Sequence, residues 1–153
     1  MIKILKILTE NIKFNNWIQL SEDDIKLEYN VEYKNHIIYS FGDIFPTYED
    51  FKFKVKNGII KKINKDFDNK ISNRSQTTSY EGLLSLIKGY RSYPEYRNEK
   101  TLNKIYEAFK NNKPMKMPIV LYHNGRYFIM SGNTRMDIAF QLGIDPKVII
   151  VNV

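Results

Sequence analysis

The chain of 153 residues contains no cysteine, a single tryptophan and two histidines, His36 and His123. The missing cysteine excludes a disulfide scaffold, a zinc knuckle and a thiol nucleophile. The scarcity of histidine excludes a histidine-rich metal centre. No internal repeat and no low-complexity tract is present. Long apolar runs are also missing: none approaches the roughly 20 residues of a membrane span. The stretch Met1–Leu8 is apolar but broken by Lys3 and Lys6, and it is too short for a signal h-region. These absences predict a soluble, cytoplasmic protein with no membrane partner. Arginine is scarce too, at 5 against 19 lysines, while Asn, Ile and Tyr abound. Such a bias fits an AT-rich genome, bacterial or phage; in the phage case the compartment is the host cytoplasm.

Hydrophobic residues make up 42% and charged residues 27%. That is enough apolar material for one compact domain, or for a domain with an extension. The formal charge of +7 favours partners that carry phosphate, nucleotide or nucleic acid. The excess is uneven. Residues 1–75 hold 13 basic and 11 acidic groups, and residues 76–153 hold 11 and 6. Four of the five arginines (Arg91, Arg97, Arg126 and Arg135) fall between residues 91 and 135. Drift toward lysine erodes arginine wherever a simple charge suffices. Those that remain point to a site needing the two-pronged guanidinium grip on phosphate or carboxylate.

Along the chain, residues 1–20 fit a helix or a strand equally. From Asp24 the apolar residues Ile25, Leu27, Tyr29, Val31 and Tyr33 alternate with polar ones, as do Ile37, Tyr39 and Phe41. Phe51, Phe53 and Val55 repeat the alternation, Lys52, Lys54 and Lys56 share the other face, and Asn57-Gly58 offers a hairpin turn before Ile59-Ile60. Residues 24–64 therefore predict an antiparallel β-meander, and the polar run 65–77 a linker. Thr78-Ser79-Tyr80-Glu81 fits a capping box for a first helix. Leu102, Ile105, Tyr106 and Phe109 stripe a second helix, which Asn98 can cap. Then follow a strand at Pro118–Tyr122, a turn at Asn124-Gly125, a strand at Arg126–Met130, a helix closed by Gly143, and a strand at Val148–Val151. The expected fold class is α/β (α+β), a small mixed sheet with helices over 76–153 beside a β-rich unit at 1–75.

The informative junction is Ser131-Gly132-Asn133-Thr134-Arg135, where a strand turns into a helix. A helix N-terminus has unpaired amides and carries roughly half a positive charge. A glycine there lets a phosphate approach the backbone. Arg135 adds a charged fork, Ser131 and Thr134 add hydroxyls, and Asn133 adds a side-chain amide. Phosphoryl transfer also needs a carboxylate, to hold magnesium or to accept a proton. Glu95 is the acid chosen, because its loop also holds Arg91 and Arg97. Trp17 reads as a core residue, and His123 as an exposed hairpin-tip residue.

Residues 118–153 resemble the N-terminal domain of the ParB partition proteins and the related sulfiredoxins. The matching pieces are Pro118-Ile119-Val120, Tyr127-Phe128-Ile129, Gly132-Asn133-Thr134-Arg135, Ala139, Leu142-Gly143 and Val148-Ile149-Ile150-Val151. Upstream, Tyr93-Pro94-Glu95-Tyr96-Arg97 looks like the stretch before the first ParB helix, so the resemblance covers about residues 90–153. Members of that superfamily bind nucleotide phosphates at the Gly-x-x-Arg turn. They use them for a cytidine triphosphate switch, for ATP-dependent sulfinic acid repair or for phosphorylation of free serine. The resemblance implies nucleotide binding, ATP or CTP with Mg²⁺, at Ser131–Arg135 with Pro118, Arg91 and Arg97. It also implies possible phosphoryl transfer, which leaves open whether the protein is an enzyme. The alternatives are a non-catalytic DNA-binding or regulatory module and a ParB-like nuclease. The sequence departs from the family in three ways. Asn-Thr-Arg stands where ParB carries Glu-Arg-Arg, the sulfiredoxin cysteine is missing, and no helix-turn-helix follows in these 153 residues. These departures predict neither sulfinic acid reduction nor a full partition role. Base, acceptor and oligomeric state are left open.

Overall fold

The computed structural model describes residues 12–35, 45–72 and 99–153, which form an α+β fold. The first element is a two-residue strand, β1 (Trp17–Ile18). Of the meander expected at 24–64, the stretch 36–44 with Ile37, Tyr39 and Phe41 lies outside the described residues, and the flanking stretches are helices, which corrects the expectation there. Glu22–Asn35 form a helix, α1. Ser21 and Asp24 cap it reciprocally: the Asp24 amide donates to Ser21 Oγ (3.2 Å), and Asp24 Oδ2 accepts from the Ser21 amide (3.0 Å) and hydroxyl (2.7 Å). Glu22, Asp23 and Asp24 place negative charge against the positive end of the helix. Ile25 is buried and Tyr29, one turn on, is half-buried, while Leu27 between them is 61% exposed. The alternating pattern thus contains a helical i, i+4 pair, and the pair is what packs.

The same resolution applies further on. Tyr48–Lys56 form α2, capped by the Thr47 hydroxyl accepting from the Asp50 amide at 3.2 Å. Phe51 and Val55 are buried, and Phe53 is 68% exposed. Lys52 leaves its expected row of lysines to bond Glu22 of α1 at 2.6 Å. Asn57-Gly58 is not a hairpin turn but the end of α2, where the Asn57 amide donates to Phe53 O. Gly58 serves close approach: a Cβ there would lie 2.5 Å from Ile149 Cγ2. Next comes strand β2 (Ile59–Lys62). The expected linker also begins as structure, since Lys65–Asp68 form a short helix, α3, capped by Asn64. Ile71 then bridges to Tyr127. The expected helix at 78–89 lies outside the described residues.

The C-terminal pattern folds as read. Glu99–Lys110 form α4, whose Leu102, Tyr106 and Phe109 are buried. After it come β3 (Met115–Lys116), β4 (Ile119–His123), β5 (Arg126–Ser131), α5 (Asn133–Gln141) and β6 (Lys147–Asn152). Asn124 and Gly125 both adopt positive φ, 50° and 77°, as a two-residue hairpin requires.

The main sheet has the order β2-β6-β4-β5. β6 runs parallel to β4 and antiparallel to β2, and β4 and β5 form the hairpin. β1 and β3 make a separate parallel pair. Both faces of the sheet are covered, so β4 and β6 read as continuous apolar runs. On one face Ile119, Leu121, Ile149 and Val151 meet Ile25, Phe51, Val55 and Phe109. On the other, Val120, Val148 and Ile150 meet Ile63, Phe67 and Met136. Phe14, Trp17 and Phe109 stack edge to face with centroids 4.8–5.5 Å apart. Each such pair contributes about 0.5–1.5 kcal/mol beyond its buried area. The boundary expected at residue 75 falls outside the described residues, and the sheet and the core draw on both sides of it.

Candidate functional site

β5 ends at the buried Ser131, and the chain reverses through Gly132 at φ 93°, ψ 19° into α5. This left-handed conformation is costly for residues with a Cβ. Space is the second reason for glycine: an added Cβ would stand 2.7 Å from Pro118 Cβ and 2.9 Å from Arg135 Nη2. The same numbers locate two expected site residues, since Pro118 and the Arg135 guanidinium both lie against the turn. The helical ladder begins with the Met136 amide donating to Gly132 O, and the N-cap, Gly132, has no side chain with which to cap the helix.

Arg135 folds back over this end. Its Nε donates to Lys116 O at 3.1 Å. Among the described residues, its two Nη groups have no hydrogen-bond partner. Burial pushes the guanidinium pKa down, against the opposing pull of Glu28 and Asp24. Arginine nonetheless remains charged at any physiological pH. Four N–H donors on a half-buried guanidinium therefore stand beside the N-terminus of α5.

Sequence reasoning missed the neighbours that α1 and β3 bring. Lys116 Nζ forms an ion pair with Asp24 Oδ1, and this bond holds the Asp24 carboxyl at a pKa of about 2, below its usual range. Ser21 adds to the same effect. The turn is thus flanked by two cations, Lys116 and Arg135, and by the carboxylates Asp24 and Glu28. The Ser21-x-x-Asp24 cap was the local signal that could have placed α1; no local signal places it at this turn.

Glu95, Arg91 and Arg97 lie outside the described residues. Arg126 is not brought to the turn: it opens β5 at the hairpin end, five residues before Ser131, or about 17 Å along the strand. His123 is half-buried rather than exposed, its Nδ1 3.1 Å from Val153 O. Two clefts also open on the described surface, but beyond the other end of α5, around Lys62 and Asp145. Among the described residues, no three acids or histidines gather to hold a metal ion by themselves, and no helix is long and apolar enough to cross a membrane.

Comparison of the chain with protein-family models, with curated proteins and with solved structures finds no match.

Proposed function

We propose that the Ser131–Arg135 turn binds the phosphates of a nucleoside triphosphate, taken up as its Mg²⁺ complex. The observation that carries this reading is the half-buried Arg135 guanidinium, its Nη donors unspent among the described residues, beside the start of α5 at Gly132. A bidentate guanidinium, helix amides and the nearby hydroxyls of Ser131 and Thr134 suit a phosphate better than a neutral ligand. The flanking acids supply the reason for the metal. A bare triphosphate beside Asp24 and Glu28 is repelled, whereas Mg²⁺ is held by one or two carboxylates together with phosphate oxygens. When bound, the ion neutralises charge on the phosphates, so it also suits phosphoryl transfer to an acceptor. In this proposal Glu28 takes the carboxylate role expected of Glu95, while Asp24 stays paired with Lys116 and Ser21. The order of elements from α4 to β6 is the one that membership of the ParB/sulfiredoxin-like superfamily implies, and we include that membership in the proposal.

Calorimetry with ATP, CTP and ADP, with and without Mg²⁺, tests it. The wild type should bind a triphosphate only with Mg²⁺. Each charge-assisted hydrogen bond contributes about 1.5–3 kcal/mol, so Arg135→Lys should weaken binding about tenfold to a hundredfold. Glu28→Gln should lessen the Mg²⁺ requirement. Unchanged affinity in Arg135→Lys, or no nucleotide binding at all, overturns the reading.

A further inference from the structure

The two clefts beyond the far end of α5 share Lys62 and Asp145 and adjoin there, one on each face of the sheet, so together they form a basic strip around the end of the edge strand β2. Five lysines line it (Lys13, Lys61, Lys62, Lys70 and Lys147) against two acids, Asp66 and Asp145. All five lysines are exposed, and among the described residues none is in an ion pair. Lys62 and Lys147 stand directly opposite each other in the antiparallel β2–β6 ladder. Like charges so placed destabilise a sheet, and an anion between them would remove the penalty. Aromatic residues floor the clefts: the half-buried Phe14 and the buried Trp17 in one, the buried Phe67 in the other, with Lys61 Nζ 4.8 Å from the Phe67 ring centroid.

We propose that this strip is a second site, separate from the Ser131–Arg135 turn, and that it binds the phosphate backbone of single-stranded nucleic acid. The spread of five cations over two adjoining clefts matches a repeating anion, not the compact charge of one nucleotide. The clefts, about 430 and 500 Å³, are each the size of a small-ligand pocket. Each cleft has room for one nucleotide unit. A positively charged surface that tracks the backbone is the electrostatic part of the usual design for single strands.

The test uses the full chain, a labelled oligothymidylate, its duplex with oligoadenylate, and vesicles of anionic phospholipid. Anisotropy should show binding of the single strand, and emission from Trp17, the only tryptophan, should change as the clefts fill. Affinity should fall with salt, and the slope should shrink by about 0.7 for each of these lysines removed. Lys62→Gln with Lys147→Gln should weaken binding about tenfold or more at moderate salt. This variant relieves the like-charge pair, so its melting temperature should hold or rise. Arg135→Lys should leave oligonucleotide binding unchanged, which separates this site from the nucleotide site. Wild-type affinity in the double variant, or binding confined to the duplex or to the vesicles, overturns the proposal.

Discussion

Replacing Gly132 by alanine tests the turn on which the nucleotide reading stands. Two costs add. At φ 93° a Cβ forces the left-handed conformation, which costs about 1–2 kcal/mol. The new methyl would also lie 2.7 Å from Pro118 Cβ and 2.9 Å from Pro118 Cα. Pro118 has little freedom to yield, because it is buried and its carbonyl accepts the Ile149 amide at 2.9 Å inside the sheet. Overpacking of this kind costs about 1–3 kcal/mol. The third contact, Arg135 Nη2 at 2.9 Å, is the end of a flexible side chain and can move. Its displacement costs the anion site rather than the fold. The total of roughly 3 kcal/mol corresponds to a fall in Tm of about 6–12 °C for a chain of this length. Thermal and urea denaturation followed by circular dichroism would measure it. Asparagine tolerates the left-handed region, so Gly132→Asn should keep the clash but shed part of the backbone cost, and fall less. A drop below about 2 °C in Gly132→Ala would refute the reasoning, since neither cost would then be present.

Asp24→Asn removes the ion pair with Lys116 and weakens the Ser21 cap, and should cost about 1–2 kcal/mol near neutral pH. The folded pKa of Asp24, about 2, lies below its unfolded value. Its stabilisation is therefore complete above about pH 4 and lost as pH falls toward 2. Urea titrations should show the gap between wild type and variant closing over that window, and a gap constant with pH would count against the ion pair. Arg135→Lys should lower the Tm of the ligand-free protein by under about 5 °C, because only the bond to Lys116 O, worth about 1 kcal/mol, is lost. A collapse in the melting curve would mean instead that Arg135 holds α1 to the turn. Phe109→Ala empties a fully buried position against Phe14 and Trp17. It should cost about 3–5 kcal/mol and shift Trp17 emission to the red; a loss under about 1 kcal/mol would contradict the core described.

Where a signal is complete within a few residues, the sequence determined the structure by itself. Asn124-Gly125 makes the hairpin because few residues other than Asn and Gly accept two successive positive φ values. Leu102, Ile105, Tyr106 and Phe109 specify a helix because their spacing matches no other element. Gly132 and Arg135 marked the turn, since the strand–glycine–helix sequence is local. Residues 24–56 carried two readings at once. Ile25, Leu27 and Tyr29, like Phe51, Phe53 and Val55, alternate as a strand does, yet each set also contains an i, i+4 pair. Tertiary packing chose the helix by burying Phe51 against Phe45 and Tyr29 and leaving Leu27 and Phe53 in water. Only the tertiary structure joins Asp24 to Lys116, 92 residues away, sets Lys62 against Lys147, and lays β6 parallel to β4. Such pairings depend on which surfaces meet once the chain has collapsed, and the free energy that selects them comes from burial shared between distant segments. Neither partner carries that term in its own local sequence.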